Sequence, residues 1–336
     1  MPPETTTTTA NSPTKRSFLR SIFIGIDGLR AGWSLILFFF LGVAILKRIE
    51  TFALHALRLT EYVSRDPRHV ANPVSADHFI PWQLDKFLCL AIATWIMSRI
   101  ERRPLAAYGS AGPRRMWNFS TGCLAGGICL SALAGCLWAS GLLVFDGRLL
   151  HGSAILQWAV VWAFGFLTVA LAEETSLRAY LQFTLTRGLA GIYGVWFKSE
   201  HRWTFGFWTA AAILACIEMS NHSFNPGESP IGLASAGLFA LMMCFSLWRT
   251  GSLWWALGFH AAWDWSESFL FGVADSGSIY KGQLLASHPV GTPILSGGST
   301  GPEGSLLVIP ALALGVIILL RTTSRSQWPL FRKRFV

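Results

Sequence analysis

Apolar residues come in long unbroken runs along this chain, and most charged residues fall in the gaps between them. No Asp, Glu, Lys or Arg occurs in 31–46, 116–145, 149–172, 203–217, 229–248 or 304–320. Several of these runs match the ~20 residues that carry a helix across the hydrocarbon core. Two further spans are expected: 80–98, with Asp85 and Lys86 at an interface, and 252–274, with Asp264 and Glu267 tolerated inside. In lipid every backbone polar group needs an internal partner, so only helices or closed barrels can cross, and these runs are too long and too uniform for barrel strands. The pattern predicts an all-α, polytopic integral membrane protein of about eight transmembrane helices.

The gaps have characters of their own. TFALHALRLTEYV (51–63) has the look of an amphipathic helix lying along the interface. Residues 275–304 are dense in Gly, Ser and Pro and predict an irregular external loop before the final helix. The low-complexity start MPPETTTTTANSPTKR predicts a disordered tail over 1–25, followed by one membrane domain over 26–325 and a basic tail over 326–336. No internal repeat or second soluble domain is evident. No small-residue cleavage site closes a short apolar core, so the first span is expected to serve as the insertion signal.

Composition agrees with this picture: 52% of the 336 residues are hydrophobic and 13% charged, more apolar surface than a soluble domain hides. Counted over eight spans with the N-terminus inside, the cytoplasmic segments hold 19 Lys and Arg and the opposite side 8. That bias predicts both termini in the cytoplasm. The net charge of +9 then reads as topology and contact with anionic lipid, with no case for nucleic acid. The six cysteines lie in apolar stretches without a CxxC pair, which implies neither a disulfide framework nor a zinc cage.

Ionisable side chains inside such runs are costly, at ~2.5–3.5 kcal/mol each at a helix centre, and they face a partner or a wet cavity. Four places break the apolar rule: Glu173 and Glu174 with Arg178, Glu218 with His222, His260 with Asp264, and Glu267. Glu174 and Arg178 are four apart and share a helix face, whereas Glu173 points about a hundred degrees away and is free to face elsewhere. His260 and Asp264 repeat the spacing, so that the carboxylate can fix the imidazole's tautomer, and so do Glu218 and His222. A carboxylate able to take a proton from water, with two histidines to hold a developing oxyanion, suits peptide hydrolysis. The same parts also suit a proton-coupled transporter.

These residues resemble the signature of the CPBP family, the CAAX protease and bacteriocin-processing family: EExxxR, then FxxxH, then HxxxN or HxxxD, on successive helices. EETSLR at 173–178 matches the first element and HAAWD at 260–264 the third, in its aspartate form. RIERRPLAAYG (99–109), FNPGES (224–229) and RTGSLWWALGFH (249–260) also look familiar. The second element departs from the pattern, because Glu218 stands where Phe is expected. Two readings of Glu218 stay open, a site residue orienting or protonating His222 and a lipid-interface acid without catalytic weight.

The resemblance implies a membrane-embedded endopeptidase without a cofactor, probing a peptide or protein substrate held at the bilayer. Glu173 would activate water, Glu174 and Arg178 would hold that region in shape, and His222 and His260, with Asp264 assisting, would bind the oxyanion. Zinc held by Glu173, His222 and His260 is the alternative, although no HExxH helix supports it. A non-proteolytic adaptor or transport accessory of the same fold is the alternative function, and a prokaryotic inner membrane the expected location. One tension is geometric. Simple run boundaries place Glu173 and His222 on opposite sides of the membrane, and they meet only if the helix holding Glu173 continues through roughly Arg187.

Overall fold

The computed structural model describes residues 22–25, 28–56, 68, 73–112, 114–197 and 201–324. Residues 1–21 of the expected disordered tail, the second half of the expected amphipathic segment and the tail 326–336 lie outside the described residues. The apolar runs form helices throughout: α1 Ala31–Ala56, α2 Ala76–Ile100, α3 Arg115–Ala139, α4 Ser153–Glu173, α5 Gln182–Phe197, α6 Arg202–His222, α7 Pro230–Thr250, α8 Trp254–Trp265 and α9 Val308–Thr322. Among the described residues six helical rods are long and apolar enough to cross a membrane, and α9 is a shorter apolar helix. The chain is a polytopic all-α membrane protein. It has fewer full-length spans than the expected eight because α8 and α9 are short.

One rod differs from the reading of the sequence. The residues 174–181 that join α4 to α5 are a π-helical stretch, so the two helices form a single run of 44 residues from Ser153 to Trp196. Arg178 and Arg187 follow the 149–172 run and count among the 19 cytoplasmic Lys and Arg, but both are buried. Two of the positive charges in the orientation count are therefore interior. ETSLRAYLQFTLTR contains no Gly or Pro and continues the helix. α6 packs along α5. A Cβ at Gly206 would lie 2.8 Å from the Thr186 carbonyl and 2.9 Å from the Ala190 amide nitrogen, which shows how closely the two backbones approach. This packing of α6 brings His222 to the level of Glu173.

The tightest helix pair is α3 with α8. Gly122 and Gly126 are four apart on α3, and a Cβ on either would lie 2.3 Å from the carbonyl oxygen of Trp255 or Phe259. Gly258 reciprocates, 2.2 Å from the Phe119 carbonyl. Without a hydrophobic drive between helices in lipid, small residues that admit backbone contact hold such pairs together. Stacked Trp255, Phe259 and Trp263 fill the space beside this seam. Gly126→Leu is expected to cost about 1–3 kcal/mol by overpacking and to lower activity, because His260 adjoins Phe259. Gly135→Leu on the same helix, where a Cβ meets nothing within 4 Å, should leave the melting temperature in lipid nanodiscs unchanged.

Residues 275–304 are ordered, which corrects the expectation of an irregular loop. β3 (Leu143–Arg148) pairs antiparallel with β4 (Leu285–Pro289), with a bulge between Phe145 and Gly147. A smaller ladder joins β1 (Ile24–Gly25) to β2 (Gly28–Leu29). The helical run expected to reach residue 145 stops at Ala139, and Gly141 turns the chain at φ +71° into β3. The turns of 271–307 are then free to fold back over the ends of α6 and α8.

A second ionic cluster explains the RIERRPLAAYG stretch. The Glu101 carboxylate lies 3.4 Å from Arg187 and 3.7 Å from Arg103, and it accepts hydrogen bonds from Tyr108 and Tyr180. Arg187 also donates to the Leu29 carbonyl and the Ser34 hydroxyl, tying the segments around α1, α2 and α5 together. This cluster ties helices together and does not line the cavity that Glu173 faces.

Candidate active site

The π-helical turn begins where the chemistry does. Inserting a wider turn into an α-helix re-aims the side chains that follow it, and such turns cluster at functional sites. Glu173 is the last residue of α4 and Glu174 the first of the π stretch. Glu174 is fully buried, while the side chain of Glu173 keeps 27% of its surface exposed and lines a cavity. The cavity offers about 50 Å³ to water, and it is lined by Glu173, Glu218, His222, His260 and Asp264 among others. One water needs ~10–15 Å³ on this measure, so a few fit, but a prenyl chain does not.

His260, on α8, is held from both sides. Its Nδ1 is 2.9 Å from Glu174 Oε1, while its Nε2 lies 3.5 Å from Asp264 Oδ2 and 3.9 Å from Glu173 Oε2. The two adjacent glutamates thus reach the two nitrogens of one imidazole. Asp264 was expected to fix the tautomer, but the short contact is made by Glu174 from another helix, and Asp264 sits on the nitrogen that faces Glu173. Phe239 packs edge-on against the imidazole and limits its rotation.

Behind this pair runs a chain of buried charges. The second oxygen of Glu174 is 3.5 Å from Arg178 Nε, and an Arg178 terminal nitrogen is 2.7 Å from Glu218 Oε2. Glu218 is 4% exposed, so it is no lipid-interface acid. Nor does it hold His222: its carboxylate is engaged by Arg178. It is a residue of the site, as one of the two readings had it, but its short contact is with Arg178. Its role could not be read from spacing, because the partner lies on a different helix. The series Glu218, Arg178, Glu174, His260 connects α6 to α8 through the π turn.

His222 closes the opposite wall. Its Nδ1 lies 3.4 Å from the Ser276 hydroxyl, 3.5 Å from the Asn225 amide and 3.8 Å from Glu228 Oε2. Asn225 and Glu228 belong to FNPGES, where Ser229 caps α7 by accepting from the Gly232 amide at 3.0 Å. Ser276 in turn donates to Glu303 at 2.9 Å. Asp275, Ser276 and Glu303 line the same cavity although they come from the stretch read as an external loop. Burial and the charge of Glu303 push the Asp275 carboxyl up to about 7. Nothing in a Gly- and Ser-rich stretch signals that it returns to the site, apart from the presence of two acids in it.

The geometry can also be tested for a metal. Among the described residues, the group of His, Cys, Asp and Glu whose ligand atoms come within 4.8 Å of one another is Glu267, Asp275 and Glu303. Glu173, His222 and His260 do not gather in that way. A zinc ion needs its ligands at ~2.0–2.2 Å, so this trio as placed does not fit one.

Residues 155–266 match the family described as Type II CAAX prenyl endopeptidase Rce1-like. No curated protein and no solved structure matches the chain. The matched stretch carries Glu173, Glu218, His222, His260 and Asp264, which line one cavity, and Glu174 and Arg178, which stand behind it. Residues 155–266 are accordingly similar to the CAAX-protease-like CPBP family, within a polytopic membrane protein.

Proposed function

We propose that this protein is an intramembrane endopeptidase in which Glu173 activates water for hydrolysis of a peptide bond. The observation that carries the reading is the placement of Glu173, partly open to the cavity, 3.9 Å from a histidine held by Glu174 on its other nitrogen. That separation is long for a direct hydrogen bond, and a water can bond both groups at once. Glu173 takes a proton from this water as the oxygen attacks the substrate carbonyl carbon. The resulting oxyanion is held by the Nε2–H of a doubly protonated His260, whose Nδ1–H goes to Glu174, and by His222, whose contacts with Ser276, Asn225 and Glu228 engage Nδ1. Glu173 then returns the proton to the leaving amine nitrogen as the C–N bond breaks.

In this reading Glu174 is a positioning residue, fixing the His260 ring, and Arg178 and Glu218 hold Glu174. No metal takes part. The substrate is a peptide or protein segment presented at the bilayer, and a prenyl group on it would remain in lipid because the cavity is too small for it. In this reading both termini lie in the cytoplasm, by the remaining bias of basic residues.

The test uses protein reconstituted in lipid, a peptide pool and heavy-oxygen water, with new termini read by mass spectrometry. Cleavage with heavy oxygen in the new carboxylate, retained after treatment with a zinc chelator, is the expected result. Chelator inhibition reversed by zinc would remove the metal-free mechanism. An absence of new termini, together with a Glu173→Ala strain that keeps the wild-type phenotype, would favour the adaptor reading.

A further inference from the structure

Glu267 is the buried acid that the catalytic reading leaves unused. It lies in a second π-helical stretch, Ser266–Leu270, directly after α8. The residue is 0% exposed, and neither carboxylate oxygen has a hydrogen-bond partner. Trp263 has one N–H to give, and it gives it to Glu303 Oε1 at 2.8 Å. Glu267 therefore faces Asp275 and Glu303 with no cationic side chain in the group, and one oxygen from each of the three lies within 4.8 Å of the others. Buried carboxylates in such a position are costly unless paired or coordinated to a cation.

The other two acids are held in place for a shared task. Glu303 accepts from Trp263 and, at 2.9 Å, from Ser276, while Asp275 accepts from Ser268 at 3.0 Å. Gly301, at φ +102°, keeps the adjoining space clear: a Cβ there would lie 1.8 Å from the Ala274 carbonyl oxygen and 3.4 Å from Glu267 Oε1. All donors are hard oxygens. Ca²⁺ accepts such oxygen ligands at ~2.3–2.6 Å in flexible geometry, whereas Mg²⁺ demands near-ideal octahedral geometry and keeps several of its waters, so a cage of three protein carboxylates suits Ca²⁺ better.

The geometry points to a binding site for a calcium-sized divalent cation formed by Glu267, Asp275 and Glu303. The ion joins the end of α8 to the returning segment 271–307. Because Glu303 also orders Ser276 beside His222, cation binding secures one wall of the cavity. The inference rests on the carboxylate geometry and stands or falls separately from the peptidase reading, since its readout is binding.

The experiment uses full-length protein in nanodiscs after chelator treatment and dialysis, with Tb³⁺ as the probe and Trp263 as the sensitising ring. Saturable Tb³⁺ luminescence displaced by Ca²⁺ is expected, with affinity falling tenfold or more in Glu267→Gln. Ca²⁺ should also raise the melting temperature of the wild type by on the order of 5 °C, and that of Glu267→Gln much less. Luminescence unchanged in Glu267→Gln, a melting temperature indifferent to Ca²⁺, or displacement by Mg²⁺ and not Ca²⁺ would each overturn the assignment. Because the thermal shift is measured on the wild type, the proposal is testable even if the variant fails to fold.

Discussion

Glu173→Gln is expected to reduce peptide cleavage about 10²–10⁴-fold while leaving the fold intact, since a positioned general base contributes a factor of that order. The amide keeps the size of the carboxylate but cannot take a proton from water. Stability should hardly change, because Glu173 is partly exposed and its recorded ion-pair contact is the long one to His260. The measurement is a turnover assay in proteoliposomes alongside a thermal melt of the same preparation. A Glu173→Gln enzyme that cleaves at the wild-type rate would move the base elsewhere. Asp264, 3.5 Å from the same His260 nitrogen, would be the next residue to examine.

The opposite pattern is expected at Arg178. Its side chain is 1% exposed and lies between two carboxylates, Glu174 and Glu218, that are themselves buried. Arg178→Met removes the cation and leaves both acids without it, a change that costs about 3–5 kcal/mol at comparable buried pairs. The variant should melt well below the wild type or fail to accumulate in the membrane. Its residual activity should follow the folded fraction. Adding Glu218→Gln should restore part of the loss, because one of the two stranded charges is gone. If Arg178→Met keeps its melting temperature and loses turnover, the arginine acts in the chemistry itself and the structural assignment fails. The two substitutions together separate the group placed to act on water from the group that holds the neighbouring histidine's partner.

The departure at position 218 has a physical explanation in these terms. A carboxylate where the family pattern has Phe would be costly in an apolar helix, yet here it meets a buried guanidinium at 2.7 Å. Arg178 thereby gains a second acid, and Glu218 gains the cation that an apolar helix would not supply. The i to i+4 spacing of Glu218 and His222 suggested a pair within α6, but the stronger partner came from another helix.

Much of the architecture was determined by the sequence itself. Uniform apolar runs have to become helices in lipid, where no water satisfies the backbone, so spans and polar intrusions were readable together. The Glu174–Arg178 contact was likewise readable, being set by the pitch of a single helix. Only the tertiary structure decided which nitrogen of His260 meets which acid, that Glu218 faces Arg178, and that Asp275, Ser276 and Glu303 return to the cavity. These contacts join different segments. They depend on the rotation and depth of each helix, which are fixed by the glycine seam between α3 and α8, the packing of α6 along α5 and the π turn at Glu174, and no local spacing encodes any of these.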